Sequence, residues 1–256
     1  MTGLTPNRIL HGDCVEVMRQ LPAESVDFIL TDPPYIVRYR SRDGRTVAND
    51  NNDRWLRPAF AEMFRLLKPG SLALSFYGWN RVDLFFDAWK AAGFRVVGHL
   101  VFRKRYASST RFFEYRHESA YLLAKGEVTP PAAPLPDVLD WEYTGNRLHP
   151  TEKPVPSLTP IVRTFCKPGD VVLDPFCGSG SSLVAARDAG CAYLGIELDA
   201  GHHRTASDRL QCGFLDQADT RHVHSPASAI SLRSRRRSVG EAGWPRPFTR
   251  YVDAIA

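Results

Sequence analysis

The sequence predicts an α/β fold, a mostly parallel sheet with helices on both faces. Two observations carry that expectation. Short apolar runs alternate with helical patterns along most of the chain. A glycine-rich turn and a proline turn also each stand at the C-terminal end of an apolar run, where open α/β sheets bind their ligands. With 256 residues, 43% hydrophobic and 24% charged, the chain is long and apolar enough to bury a core, which excludes wholesale disorder.

The elements follow in order. Strands are expected at Asn7–Leu10, Val26–Thr31, Ser71–Phe76, Phe94–Phe102, Ser119–Ala124, Val171–Asp174 and Ala192–Glu197, each a short apolar run bounded by turn residues. Helices are expected at Trp55–Leu67, Arg81–Ala92, Ser157–Cys166, Ser181–Ala189 and Ala200–Leu210. Lys68-Pro69-Gly70 and Lys167-Pro168-Gly169 read as matching helix stops, each just ahead of a strand. Residues 36–54 are polar and arginine-rich and should be loop. Residues 126–150 hold Pro130, Pro131, Pro134 and Pro136 and read as an irregular crossing segment. No internal repeat or heptad pattern occurs.

Charge divides the chain. The net +5 is mostly tail: from residue 217 on, seven arginines stand against three acids, so residues 1–216 are nearly neutral. We expect one folded domain over 1–216 and a basic, disordered tail over 217–256. Any basic surface on the body must be a local patch. Five scattered cysteines without a C-x-x-C spacing predict neither a disulfide scaffold nor a metal site, and fit a cytoplasmic setting. No apolar run approaches the roughly 20 residues of a membrane span, so no membrane partner is expected. The first eleven residues carry no secretion pattern.

The glycine turn Pro175-Phe176-Cys177-Gly178-Ser179-Gly180 joins the strand Val171–Asp174 to the helix starting at Ser181, which lets a ligand approach bare backbone. Glu197 ends the next strand 23 residues after Asp174, where a carboxylate can accept from a ribose diol. A dinucleotide fits poorly: the third glycine of the usual pattern is Leu183, and Asp174 would face a pyrophosphate. S-adenosylmethionine has no phosphate and carries a cationic sulfonium and an amine, so it tolerates that acid. The plain alternative is that Gly178 and Gly180 merely permit a tight turn.

Asp32-Pro33-Pro34-Tyr35 follows the strand Val26–Thr31. Two prolines fix φ and remove two N–H donors, leaving outward carbonyls. A carboxylate and a carbonyl beside an aromatic face suit a planar ring bearing an NH₂ group. A simple proline turn is the competing reading.

Together these residues resemble the amino-group DNA methyltransferases acting on N6 of adenine or N4 of cytosine. Their catalytic motif is D-P-P-Y, here Asp32, Pro33, Pro34 and Tyr35, and their cofactor motif F-x-G-x-G, here Phe176–Gly180. The catalytic half comes first, as in the permuted beta group. His149-Pro150-Thr151-Glu152-Lys153-Pro154 resembles the family segment that contacts the methionine end of the cofactor, His11-Gly12-Asp13 the strand-end acid reaching its adenine, and Arg116–Gly126 another shared block. The resemblance covers about residues 7–210. Glu152 departs from a common glutamine, and Ile36 from a small or polar residue.

It implies a Rossmann-like class I methyltransferase fold with a seven-stranded sheet. S-adenosylmethionine would be held by Asp13, Thr151, Lys153, Asp174, Pro175, Phe176, Gly178, Ser179, Gly180 and Glu197. The substrate would be double-stranded DNA with the target base flipped out, and N6 of adenine is favoured because the first motif residue is Asp. A homodimer and a cognate restriction endonuclease stay open as further partners.

Only residues 127–148 are left for a separate recognition region, so DNA reading is expected to be shared by loops near 36–57, 103–116 and 127–148. The first carries Arg38, Arg40, Arg42 and Arg45; the second carries Arg103, Lys104, Arg105, Arg111 and Arg116 among Tyr106, Phe112, Phe113 and Tyr115. Arginines with aromatics suit phosphate contacts and base stacking. A solvated loop face is the bland alternative for either patch. The rival functions are an RNA or protein amide methyltransferase, whose motif usually begins with Asn, an N4-cytosine enzyme, and a non-catalytic DNA-binding protein on the same scaffold.

Overall fold

A computed structural model of the chain describes residues 4–40, 44, 46–145, 147–149 and 151–219, with side chains described as far as residue 211. The elements are β1 (Arg8–His11), α1 (Cys14–Arg19), β2 (Val26–Thr31), α2 (Leu56–Leu66), β3 (Leu67–Phe76), α3 (Val82–Ala92), β4 (Arg95–Lys104), β5 (His117–Ala124), β6 (Val138–Trp141), α4 (Val155–Phe165), β7 (Val171–Asp174), α5 (Ser181–Asp188), β8 (Ala192–Glu197) and α6 (Ala200–Asp219). Among the described residues no helix is long and apolar enough to cross a membrane.

One sheet runs in the order β1-β8-β7-β2-β3-β5-β4-β6. All neighbours are parallel except β5, which is antiparallel to both β3 and β4. The central strands are buried on both faces, so alternate residues of one strand enter different cores. Ile29 joins a core with α1, α2 and α3, built on Met18, Leu56, Phe60, Met63, Phe85 and Trp89. Phe28 and Leu30 join the opposite core with α4, α5 and α6, built on Leu158, Ile161, Leu183, Val184 and Leu210. The expected helices on both faces are thus found, three on each.

Leu183 shows why a third helix glycine is unnecessary. Its side chain is fully buried and fills the space over Gly195 of β8, where an added Cβ would come within 2.5 Å of Leu183 Cδ1. The close approach of α5 to the sheet is obtained by a glycine on the strand instead.

Four expectations need correction. The sheet has eight strands, not seven: Val138–Trp141, inside the proline-rich segment, pairs in parallel with β4 from Val101↔Val138 to Lys104↔Trp141. Lys68-Pro69-Gly70 does not stop α2 ahead of the strand. It lies inside β3 as a bulge, where the register against β2 jumps from Val26↔Leu67 to Phe28↔Leu72, and Lys68 Nζ donates to Asp27 Oδ1 at 2.5 Å. Helix α1 was not expected; six residues are too few for a periodic signal, but Asp13 caps it by accepting from the N–H groups of Val15 (2.9 Å) and Glu16 (3.2 Å). Helix α6 reaches Asp219, past the expected boundary at 217, and the rest of the tail lies outside the described residues.

The chain order fixes where a ligand can sit. From β7 the chain steps outward to β8, and from neighbouring β2 it steps the other way to β3. Between β2 and β7 lies a topological switch point, and their C-terminal ends open a crevice there. The two strand ends are tied directly, because Thr31 Oγ1 donates to Asp174 Oδ1 at 3.0 Å.

Candidate active site

The crevice is lined by both sequence motifs. Asp32, Pro33, Pro34 and Tyr35 descend from β2, while Pro175, Phe176 and Gly178 descend from β7. Asp13, Glu197, Asp199 and His202 close the side nearest β1 and β8, and His149, Thr151 and Lys153 cover the approach to α4. A smaller adjoining hollow reaches Asp32, Lys153, Asp174, Ser179 and Ser182. Residues 143 positions apart are therefore brought to one rim.

Each glycine of the turn has its own steric reason. Gly178 has φ +52°, and a Cβ there would meet the His149 ring at 3.2 Å. Gly180 has φ +81° and faces Ala206 of α6 at 3.2 Å, so it serves helix packing rather than the crevice. Glu197 does more than line the wall. Its Oε2 accepts from Gly178 N–H at 2.8 Å and its Oε1 from Asp199 N–H at 2.7 Å, so it fixes the glycine turn. Each oxygen keeps a lone pair for a ligand hydroxyl.

Asp174 is buried and satisfied from three sides, by Thr31, by Phe176 N–H at 3.0 Å and by the Ser182 hydroxyl. Burial pushes its carboxyl up to about 7, against the pull of these donors. It holds the turn together. Ser179 is likewise buried, and its carbonyl accepts from Arg209.

Asp32 has a different neighbourhood. Its Oδ1 accepts from Tyr35 Oη at 2.8 Å and its Oδ2 from Lys153 Nζ at 2.5 Å. Lys153 is 8% exposed and lies over the rings of Tyr35, Phe76 and Trp141. Burial raises the Asp32 carboxyl above its ordinary value, with Lys153 and Tyr35 opposing and Glu118 adding to the rise. The Tyr35 phenol is pushed well up, first by burial and then by Asp32 and Glu118. Tyr35 therefore stays a neutral donor with its ring beside the acceptor.

Of three positioning residues, two gave no signal in the sequence and the third, Glu118, lies in the Arg116–Gly126 block. Asp50 sits in a run of Asn and Asp that reads only as loop, yet it is buried and templates the chain after Tyr35. It accepts from the N–H groups of Ile36 (2.6 Å), Val37 (3.3 Å) and Tyr39 (2.5 Å), and holds Ile36 (φ +61°) and Arg38 (φ +54°) in left-handed conformations. Gly78, after β3, abuts Tyr35: an added Cβ would stand 2.6 Å from the Tyr35 carbonyl oxygen. Glu118 of β5 pairs with Lys104 behind Tyr35.

The basic residues expected at DNA fall into groups. Arg38, Arg40, Arg105 and Arg111 are exposed, and Arg42 and Arg45 lie outside the described residues. Arg103 pairs with Asp140 at 2.8 Å and Arg116 with Glu114 at 2.7 Å, both exposed pairs that a phosphate can displace. Lys104 is the correction: it is 6% exposed, paired with Glu118 and set against Tyr106 and Trp141. A buried, paired ammonium does not reach a phosphate. Beside it, residues 105–116 form a hairpin bridged at Thr110↔Glu114, with Phe112 (92%) and Phe113 (74%) exposed at its tip.

The crevice favours a cationic, phosphate-free ligand. Its wall carries the carboxylates Asp13, Asp32, Glu197 and Asp199, while its one lysine is already paired with Asp32. A pyrophosphate would meet that acidity unfavourably, whereas a sulfonium, an amine and a ribose diol fit it. Residues 26–208 match the DNA methylase family of N6/N4 type. The chain belongs to that family, whose methyl donor is S-adenosylmethionine.

The methylase is 58% identical over 204 residues to the putative methylase YubD of Escherichia coli, covering 80% of this chain and 90% of that one. It is 27% identical over 259 residues to the DNA adenine methyltransferase YhdJ of the same organism, covering 82% and 86%. Among solved structures it superposes on the M1.HpyAVI complex with S-adenosylmethionine at TM-score 0.64 and 22% identity, over 79% of this chain and 98% of that one. It also superposes on the cytosine-N4-specific PvuII DNA methyltransferase at TM-score 0.65 and 14% identity, over 81% and 87%. These likenesses agree with the class I methyltransferase fold of the methylase, its β2 motif preceding its β7 motif in the permuted order.

Proposed function

We propose that the methylase transfers a methyl group from S-adenosylmethionine to N6 of an adenine flipped out of double-stranded DNA. One observation carries this reading: the Asp32–Tyr35 turn and the Gly178 turn share one crevice at the switch point of the sheet. S-adenosylmethionine supplies an electrophilic methyl carbon and a neutral thioether leaving group. Asp13, Phe176, Gly178 and Glu197 hold it, with Thr151 and the hollow at Asp174 and Ser179 beside its methionine end. Asp32 and the Pro33 carbonyl accept the two N–H bonds of the target amine, and Tyr35 stacks on its ring. Accepting those bonds localises the nitrogen lone pair, which attacks the methyl carbon while the carbon–sulfur bond breaks; the amine proton departs towards Asp32. Flipping is required because the amino group is otherwise paired inside the duplex.

Adenine is favoured by the aspartate at the first motif position and by the larger stacking area a purine offers Tyr35. Nucleoside mass spectrometry of duplex DNA methylated in vitro tests it: N6-methyladenine is expected, and N4-methylcytosine alone overturns the base while leaving the roles of Asp32 and Glu197 intact.

Arg38, Arg40, Arg105 and Arg111 grip phosphates, and Phe112 and Phe113 meet the base stack. Residues 1–219 carry catalysis, and the tail adds non-specific DNA attraction. Deleting 220–256 is expected to keep activity and to flatten the salt dependence of DNA binding; an inactive truncation overturns that division. In calorimetry, Asp32→Ala leaves cofactor affinity within a few-fold, whereas Glu197→Ala costs about 1.5–3 kcal/mol. The opposite pattern reverses the two roles.

A further inference from the structure

Lys153 was expected at the methionine end of the cofactor. It lines the hollow beside Asp174 and Ser179, and its ammonium donates to Asp32 Oδ2 at 2.5 Å and lies over Tyr35, Phe76 and Trp141. An amine in such a place has few other partners to satisfy it, and an acid there has little water to keep it charged. We propose that Lys153 is a positioning residue for methyl transfer, fixing the Asp32 carboxylate in its charged, accepting form at the crevice rim. This rests on reading Asp32 as the acceptor of the target amine.

Asp32 accepts best as an anion, because protonation turns one of its oxygens into a donor facing an amine that needs acceptors. Its surroundings mostly oppose that charge. From its own turn it meets the neutral Tyr35 hydroxyl at 2.8 Å. Strand β5 brings Glu118, whose charge acts on both Asp32 and Tyr35, although Lys104 of β4 balances it. The end of β7 brings Asp174, whose own charge is held down by burial. Lys153, arriving from the segment before α4, is the cation in direct contact with Asp32. Its pull opposes the effect of burial and of Glu118. The contact also ties the segment covering the crevice to the catalytic turn, so Asp32 Oδ2 is occupied while Oδ1 keeps a lone pair for substrate.

The test uses the full-length chain as wild type, Lys153→Met, Lys153→Arg and Asp32→Asn. Methyl transfer to duplex DNA is measured against pH, S-adenosylmethionine affinity by calorimetry, and carboxyl titration by NMR on protein carrying ¹³C-labelled aspartate. The Asp32 signal is the one that Asp32→Asn removes. In Lys153→Met, kcat at neutral pH is expected to fall by about tenfold or more. The acid limb of the profile and the Asp32 midpoint are expected to move up by about one pH unit or more, because the rate rises as Asp32 loses its proton and Lys153 eases that loss.

Cofactor affinity is expected to stay within about threefold, a change of under 1 kcal/mol. Lys153→Arg returns limb and midpoint towards wild type. An Asp32 midpoint unmoved in Lys153→Met overturns the proposal, as does an unmoved limb accompanied by lost cofactor affinity. If Lys153→Met does not fold, Lys153→Gln replaces it under the same criteria. Undiminished turnover by Asp32→Asn instead sinks the reading of Asp32 as acceptor, and the NMR titration still decides whether Lys153 holds the carboxylate.

Discussion

Asp32 and Asp174 end neighbouring parallel strands, and each is followed by proline. Asp174 is closed in by neutral donors from its own turn, from α5 and from Thr31, and it is 3% exposed. Asp32 keeps a share of its surface open to the crevice and takes a lysine as partner. The difference lies in who supplies the donors. A carboxylate satisfied locally by hydroxyls and amides becomes a structural tie, with its charge suppressed by burial. One that borrows a distant cation has burial opposed by a full charge and keeps its reach. The Asp32 turn is accordingly held from outside, by Lys153, by Asp50 and by the bare backbone of Gly78.

Exchanging the two acids for neutral residues should therefore break different properties. Asp32→Asn is expected to lower kcat by about 10²–10⁴-fold, the range of a lost acid–base or acceptor group, with little change in melting temperature. Asp174→Ala is expected to lower stability by about 2–4 kcal/mol, because Thr31, Ser182 and the Phe176 amide lose a shared buried acceptor. Denaturant unfolding beside turnover assays on both variants reads the contrast. Equal loss of stability in the two would erase it.

The outside support of the Asp32 turn can be tested without touching an ionisable group. Gly78→Ala places a methyl 2.6 Å from the Tyr35 carbonyl oxygen, a contact that backbone must move to relieve. A cost of about 1–3 kcal/mol in stability is expected, with a larger proportional loss of activity than in a surface alanine variant such as Arg163→Ala. Unchanged kcat in Gly78→Ala would show that the turn does not depend on β3.

Much of this was legible in the sequence, and the gaps share a cause. Strand positions and both turns were readable because burial on two faces makes β2, β7 and β8 nearly continuous apolar runs. Strand β6 was hidden because Val138–Trp141 contains an acid at an exposed position and follows four prolines; its edge place beside β4 comes from tertiary pairing. The Lys68-Pro69-Gly70 bulge has the letters of a helix stop, and only the Lys68–Asp27 contact shows why the strand continues around it. At the site, residue types were readable but partners were not. Lys153 and Asp32 stand 121 positions apart, and no spacing rule reports that an ammonium turns to one acid rather than to a ligand. Lys104 reads as one more charge in a basic patch until β5 sets Glu118 beside it.

The most graded effect expected is a pH dependence of stability carried by Asp174. Its carboxyl is pushed up to about 7 in the folded chain, from an ordinary value of 3.8. Between those values the folded state holds a proton that the unfolded state has already released. Raising pH through that window therefore favours unfolding, and above about 7 both states are ionised and the effect levels off. The slope cannot exceed about 1.4 kcal/mol per pH unit for one group. Asp174→Asn removes the titration while keeping the side chain's size, so its stability should vary less between pH 5 and pH 7 than that of wild type, whatever its absolute loss. Asp32→Asn lacks that particular change, because the Asp174 environment of Thr31, Ser182 and the Phe176 amide stays in place. Urea unfolding of the three proteins at pH 5, 6, 7 and 8 supplies the comparison. Parallel wild-type and Asp174→Asn curves would show that Asp174 is ionised throughout, and that the hydroxyls around it stabilise a charge rather than a proton.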